Sequence, residues 1–464
     1  MKTSIAILAA GLGTRMKSNL AKVLHRAGGF TLVEHAVRAA RAVADPGDIV
    51  AVVGHQADTV KKVLEPYGVG AALQTEQRGT GHALAMARPA LENAGGRLVV
   101  LYGDVPLLSG DTIRRLVKLY DDSGKAGVVI TCELADPAGY GRIVRSADGT
   151  VAAIVEDKAA SPEQRKIREI NSGIYCFNAG LVWKHLAEIG TANPAGEYYL
   201  TDIVEILRVH GHGVVPMPID DFSEILGINN RVELSQVDEI LRKRKIHEMM
   251  IEGVTIERPD TVVIDLDVRA GRDVIIESGV RLLGKTIVGE GALIGAGSVL
   301  TNASIGERVL IGPYTVIADS SVGEDAHVGP FARLRNHNQV GANVHIGNFV
   351  ELKKTRMGRG AKANHLAYLG DSVIGAKANI GAGTITCNYD GVHKHQTTIG
   401  EHAFIGSNST LVAPIEIGDR AYVGAGSVLT KPVPAESLAI GRAHQVVKEG
   451  WKPKTGKKAE RGNQ

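Results

Sequence analysis

Aromatic side chains are scarce: 6 Phe, 2 Trp and 11 Tyr, or 4% of 464 residues. Cysteine is scarcer still. Cys132, Cys176 and Cys387 lie far apart without CxxC spacing, which argues against a disulfide framework or a zinc site and predicts a reducing, cytoplasmic compartment. No apolar run approaches 18 residues, so no membrane insertion is expected. Charge of one sign is also missing: 53 Lys+Arg against 50 Asp+Glu leave +3. The last 17 residues, with six Lys/Arg and two Glu, carry +4, so the remainder is about −1. A folded basic face is therefore not evident, and no nucleic-acid partner is expected. The 44% hydrophobic content is too high for a disordered chain. The apolar start Met1–Ala10 imitates a signal peptide, but it is short and flows into Gly-Leu-Gly-Thr-Arg, as a first β-strand does.

What the chain has is glycine, 56 residues. It is used in two ways. From 1 to 228, β-rich runs at residues 4–10, Ile49–Val53, Arg97–Tyr102 and Val128–Cys132 alternate with helical patterns such as Leu32–Ala44 and Thr112–Tyr120. That alternation predicts an α/β domain with a Rossmann-like, mostly parallel sheet covered on both faces. Residues 229–252 read as a linking helix, residues 253–447 as a repeat, and residues 448–464 as a basic, mobile tail.

In the repeat, an aliphatic residue returns every six positions, as in Val288, Ile294 and Leu300, then Ile305, Ile311 and Ile317. Of 24 such positions between Val288 and Leu429, 22 are Val, Ile, Leu or Met, and 16 are followed by Gly. Six residues make one short strand and a turn, and three units close one triangular coil. Stacked coils pair as parallel strands about 4.8 Å apart. The pattern specifies a hexapeptide-repeat parallel β-helix; its left-handedness comes from resemblance to known hexapeptide proteins.

A rule kept this strictly makes its lapses informative. On one side of the prism, Arg335 and Lys353 follow the aliphatic position in successive coils. They are either two solvated charges or a phosphate site. One coil later Ala363 replaces the aliphatic residue, followed by Asn364-His365. His365 is either a surface histidine or a general base suited to neutral pH. One interval grows to 25 residues, the excess lying in Thr386–His395, either a tolerated insertion or a binding loop. Cys387 reads as packing.

After the first strand, Leu8-Ala-Ala-Gly-Leu-Gly-Thr-Arg-Met16 forms a glycine loop of the kind that exposes backbone N–H groups to phosphate. It lacks the third glycine of a dinucleotide fingerprint and the Gly-Lys-Ser/Thr of a P-loop. Arg15 and Lys22 add two cations. Asp104, at the end of the Arg97–Tyr102 run, is either a turn residue or a Mg²⁺ ligand at the sheet's crevice. Gln74 and Gln77 either pair with a base edge or satisfy their loop.

The loop resembles the sugar-nucleotidyltransferase signature, with Ala21-Lys22 where that family has Pro-Lys. Joined to the hexapeptide region, residues 3 to 451 resemble the bacterial family of bifunctional N-acetylglucosamine-1-phosphate uridylyltransferase/glucosamine-1-phosphate N-acetyltransferases. The resemblance implies that Leu8, Ala9, Ala10, Gly11, Lys22, Gln74, Gly79 and Thr80 hold UTP; Arg15 and Lys22, the two cations beside the phosphate loop, are expected to be catalytic. It implies Mg²⁺ at Asp104 and Asn229, and a sugar among Gly141, Glu156, Asn171, Tyr199, Thr201 and Asn229. In the second domain it implies glucosamine-1-phosphate at Arg335, Lys353, Tyr368 and Asn379, and His365 as general base. Acetyl-CoA would lie along Ala382, Asn388, Tyr389, Ser407, Ala425 and Arg442, and the chain would form a homotrimer. Asn336-His337 departs from the family's usual Pro-Gly. A single-activity nucleotidyltransferase with a structural β-helix, and a non-catalytic regulatory subunit, are the competing readings. The lapses at Arg335, Lys353 and His365 weigh against the first, and Arg15, Lys22 and Asp104 against the second.

Overall fold

A computed structural model describes residues 1–452; the basic tail expected over 448–464 falls mostly outside the described residues. The chain divides into two compact units, Met1–Lys245 and the part from Ile246 onward. Helix Arg231–Ile251 runs across that division.

The first unit is built on one sheet. Its main path runs Val214–Pro218, Gly127–Glu133, Glu169–Asn178, Arg97–Tyr102, Thr3–Ala9, Ile49–Val53 and Gly70–Leu73. Every residue of Thr3–Ala9 and Ile49–Val53 is buried, as strands covered on both faces require. The sheet is mixed. Four of the six neighbouring pairs are parallel, but Glu169–Asn178 runs antiparallel to both of its neighbours. Its Tyr175 and Phe177 rings stack 5.1 Å apart inside the core. Helix Leu32–Ala40 starts on a capping box, with Thr31 and Glu34 exchanging bonds, and stops four residues before the expected Ala44. Helix Gly110–Ser123 starts at the Ser109 cap and ends on Gly124 at φ 61°.

The second unit is the predicted prism. Three all-parallel sheets of 11, 10 and 9 short strands form its faces. The six-residue register holds through the stack. On the first face Ile294, Ile311, Val328, Ile346, Ala363, Ile380, Ile405 and Val423 pair in order. On the second face Leu300, Ile317, Leu334, Leu352 and Leu369 do the same. These side chains point inward and form one continuous core. The glycine that follows has a steric cause: a Cβ on Gly289 would lie 2.6 Å from the Glu307 nitrogen of the next coil. Thr386, an inward polar exception, is fully buried, and its hydroxyl accepts from the Gly370 N–H at 2.8 Å.

Because each coil contacts only its neighbours, a core deletion acts locally. Ile311→Ala should destabilise the second unit by about 3 kcal/mol. Urea denaturation should show a lower midpoint for the β-helix and an unchanged transition for the first unit.

Candidate functional site

In the first unit the glycine loop leaves the buried strand at Ala10. Gly13 adopts φ 63°, and a Cβ there would lie 2.6 Å from Lys22 Cβ, so glycine lets Lys22 lie against the loop. Lys22 Nζ donates to Asp104, with both side chains more than four-fifths buried. A cavity of about 470 Å³ is lined by Leu8, Ala9, Ala10, Gly11, Lys22, Gln74, Gly79, Thr80 and Asp104. Eight residues expected to hold a nucleotide thus share one space with an acidic metal-ligand candidate. Gln74 donates its amide to the Gly79 carbonyl at 3.3 Å, and Gln77 reaches the Ala10 carbonyl at 3.5 Å, so both brace the loop.

Asn229 comes to Asp104 through the backbone: the Ile228 N–H donates to the Asp104 carbonyl at 3.0 Å. Arg15, exposed and outside the cavity lining, donates from Nη2 to Asn229 Oδ1 at 2.8 Å. The Asp104 carboxylate and the Asn229 amide oxygen are hard oxygen donors of the kind Mg²⁺ takes, and here they accept from Lys22 and Arg15. That ion takes few protein oxygens and completes its shell with phosphate and water.

The sugar candidates gather around Glu156. A Cβ on Gly141 would lie 3.6 Å from Glu156 Oε1 and 3.6 Å from Asn171 Cβ. Thr201 Oγ1 donates to Glu156 at 3.5 Å, and the charge of Glu156 reaches the Tyr199 phenol. Burial pushes the Glu156 carboxyl above its ordinary range. Tyr102 connects the two groups. It lines the nucleotide cavity, and burial together with the charges of Glu156 and Asp104 drives its phenol well up. Tyr102 was not among the sequence candidates; its position at the sheet's C-terminal edge was the available signal. Gln77 and Glu197 line the same cavity.

In the second unit the parallel register converts sequence spacing into columns. Arg335 pairs with Lys353 and Lys353 with Gly370, while Arg333, Glu351 and Tyr368 form the adjacent column. Arg335 Nε donates to Glu351 at 2.6 Å. Lys353 Nζ donates to Asp371 at 2.6 Å, and Asn388 from the inserted loop donates to the same carboxylate. Burial opposes both charges of the Lys353–Asp371 pair. Their mutual bond prevails, lifting the lysine above its ordinary value and holding the carboxyl below. A Cβ on Gly370 would lie 2.5 Å from the Tyr368 hydroxyl and 2.7 Å from the Asn388 amide, so Tyr368 closes against the same corner.

His365 sits one coil from Asn348, and its Nδ1 is 2.8 Å from Asn348 Oδ1. An amide oxygen only accepts, so in the neutral ring Nδ1 carries the proton and Nε2 is the acceptor. Asn348 occurs 17 residues before His365, one coil by spacing, a signal that sequence reasoning passed over. The loop adds a further missed residue, Lys394. The Lys353 ammonium depresses its pKa, and Arg335 contributes. A cavity of about 770 Å³ takes in Lys353, Asp371, Lys394, Asn336 and His337. Its lining does not include Arg335, His365, Tyr368 or Asn379. The Asn336-His337 departure forms a corner with both φ near +63°.

Ala382, Ser407 and Ala425 occupy equivalent positions in successive coils. They are tied by Asn408 N–H to the Ala382 carbonyl at 2.7 Å and Gly426 N–H to the Ser407 carbonyl at 2.8 Å, and Arg442 donates to the Ala425 carbonyl. Tyr389 is exposed on the inserted loop, where it bridges to Lys394. All three cysteines are free, and burial pushes the Cys176 thiol up to about 12.

Residues 5–168 match the MobA-like NTP transferase domain family. Residues 302–336 match the bacterial transferase hexapeptide family, and 396–431 the hexapeptide repeat of succinyl-transferase. The chain is thus a nucleotidyltransferase joined to a hexapeptide transferase. It is 59% identical over 456 residues to the bifunctional protein GlmU of Solibacter usitatus, covering 98% of each chain. It is 48% identical to that of Koribacter versatilis (98% and 97% covered) and 50% identical to that of Anaeromyxobacter sp. (96% and 91%). It belongs to the bifunctional GlmU family.

Removing one partner of a buried pair strands the other charge. Asp371→Ala should destabilise the second unit by about 3 kcal/mol at pH 7, measured by urea denaturation. The Asp371 carboxyl titrates below its unfolded value, so its contribution is full above the ordinary carboxylate range. The gap between wild type and variant should close as pH falls through the folded-state value.

Proposed function

We infer that the chain performs two transfers in UDP-N-acetylglucosamine synthesis. The second unit moves acetyl from acetyl-CoA to glucosamine-1-phosphate. The first moves UMP from UTP to N-acetylglucosamine-1-phosphate, releasing pyrophosphate. The observation that carries this reading is the pairing of two constellations in one chain. Lys22 and Asp104 share a cavity with the glycine loop, and an oriented His365 stands in the same broken coils as Arg335 and Lys353.

For acetyl transfer, Arg335, Lys353 and Lys394 supply positive charge for the sugar phosphate, and Tyr368 and Asn379 bound the sugar. Asn348 holds His365 so that Nε2 accepts a proton from the glucosamine amine as it attacks the thioester carbonyl. The column Ala382, Ser407, Ala425 and Arg442, with Asn388 and Tyr389 of the loop, lies along the acyl donor. For uridylyl transfer no protein nucleophile is needed, because sugar phosphate displaces pyrophosphate in line. The loop amides and Lys22 receive the triphosphate, Arg15 adds charge, and Gln74, Gly79 and Thr80 position the uridine. Glu156, Asn171, Gly141, Tyr199 and Thr201 orient the acetylated sugar. Mg²⁺ held by Asp104 and Asn229 would offset charge on the phosphates. A homotrimer completes the reading, since hexapeptide acyltransferases place donor sites between prisms. The free cysteines fit a cytoplasmic location. Among the described residues, no helix is long and apolar enough to cross a membrane.

A coupled assay supplying glucosamine-1-phosphate, acetyl-CoA, UTP and Mg²⁺, and following both products, tests the reading. His365→Ala should lower acetyl transfer by roughly 100-fold or more and leave uridylyl transfer near wild type. Asp104→Ala should do the reverse; unchanged UTP kinetics would remove Asp104 from the site. Light scattering should give three times the chain mass, and a fully active monomer would refute the trimer.

A further inference from the structure

A second cluster of metal-ligating side chains lies in the first unit, away from Asp104 and Asn229. Helix Ala179–His185 ends on His185, which is only 3% exposed. The next turn carries Glu188, and helix Asp202–Val209 delivers His210 at its end. His185 Nδ1 lies 2.6 Å from Glu188 Oε1, and His210 Nε2 lies 2.9 Å from Oε2. The imidazole rings are 4.1 Å apart, and one donor atom from each residue falls within 4.8 Å of the others. Burial of His185 and an adjoining cavity set this cluster apart from an ordinary surface ion pair. His185 Nε2 is buried with no hydrogen-bond partner among the described residues. The other side opens on a cavity of about 360 Å³ lined by Glu188, Asp202, Glu205 and His210.

We propose that His185, Glu188 and His210 bind a first-row divalent cation of the zinc type. Two imidazoles and one carboxylate form the donor set such an ion prefers, and the cavity admits a water as fourth ligand. Magnesium, which demands oxygen ligands, is discriminated against, so the cluster does not duplicate the Asp104–Asn229 pair. On binding, each imidazole directs toward the metal the nitrogen that now faces Glu188, and its proton moves to the far ring nitrogen. A neutral ring exchanges no proton with solvent in this step, and a protonated ring releases one. For His185 the far nitrogen is the partnerless Nε2, a cost that sets the affinity below that of a thiolate-rich structural zinc site. The ion fastens the Leu186–Glu188 turn to the end of helix Asp202–Val209. Between those points runs the segment bearing Tyr199 and Thr201. It is anchored to the nucleotide cavity by the Leu200 N–H bond to Thr80 Oγ1 at 3.0 Å. The metal is therefore a clamp on the wall of that cavity.

The test uses chelator-stripped full-length protein titrated with Co²⁺ and then Zn²⁺, without magnesium. One equivalent of Co²⁺ should give the visible absorption of a four-coordinate ion, and Zn²⁺ should displace it and raise the melting temperature. The band should persist in Asp104→Ala. His210→Gln, an exposed position, should lose the band, weaken Zn²⁺ binding at least tenfold and abolish the Zn²⁺-dependent melting shift, while its metal-free melting temperature stays near wild type. Glu188→Gln is the second variant and should show the same loss. A band equal in His210→Gln and wild type, a band lost in Asp104→Ala instead, or the absence of any four-coordinate signal would overturn the proposal.

Discussion

Burial of aliphatic side chains along parallel strands is the constraint on which both units depend. A strand covered on both faces, or closed into a prism, has no interior place for a charge. Polar chemistry is forced to strand ends, corners and inserted loops. In the first unit this means the C-terminal edge, where Ala10, Tyr102 and Asp104 meet. In the second it means the outward positions beside the inward column, where Arg335, Lys353 and His365 stand. The inward residue fixes each coil's register. A residue 17 or 18 positions away then becomes a neighbour in space, and single changes assemble a site.

Four cations at the two candidate sites are already engaged by acidic or amide oxygens. Lys22 faces Asp104, Arg15 faces Asn229, Arg335 faces Glu351 and Lys353 faces Asp371. A long cationic side chain loses rotamer freedom when it binds phosphate. Holding it beforehand means that part of that cost is met during folding, which favours binding. Glu351 and Asp371 thus fix where Arg335 and Lys353 lie, much as Asn348 holds His365 in one tautomer.

Much of this was legible in the chain. The hexapeptide phase defined the prism and its three faces, and the lapses in phase marked Arg335, Lys353, His365 and the loop after Thr386. The glycine loop with Lys22, and Asp104 at a strand end, marked the first cavity. Other features were not legible. The central strand Glu169–Asn178 is absent from the runs read in the sequence, since polar residues interrupt it, and hydrophobicity does not encode its antiparallel direction. Lys394 sits in an insertion without register, so nothing in its spacing shows that it approaches Lys353. Tyr102 reads as the last residue of a buried strand until Gly173 is seen to leave room for its ring.

By itself the sequence determined the class of each domain, because periodicity in burial is a local, one-dimensional property that repeats or fails visibly. It also determined which residues break the pattern. Only the tertiary structure decided which of those breaks meet. Arg15 with Asn229, Asn388 with Asp371 and His185 with His210 are joined across loops and helices of no fixed period, and such contacts exist only once the chain has closed on itself.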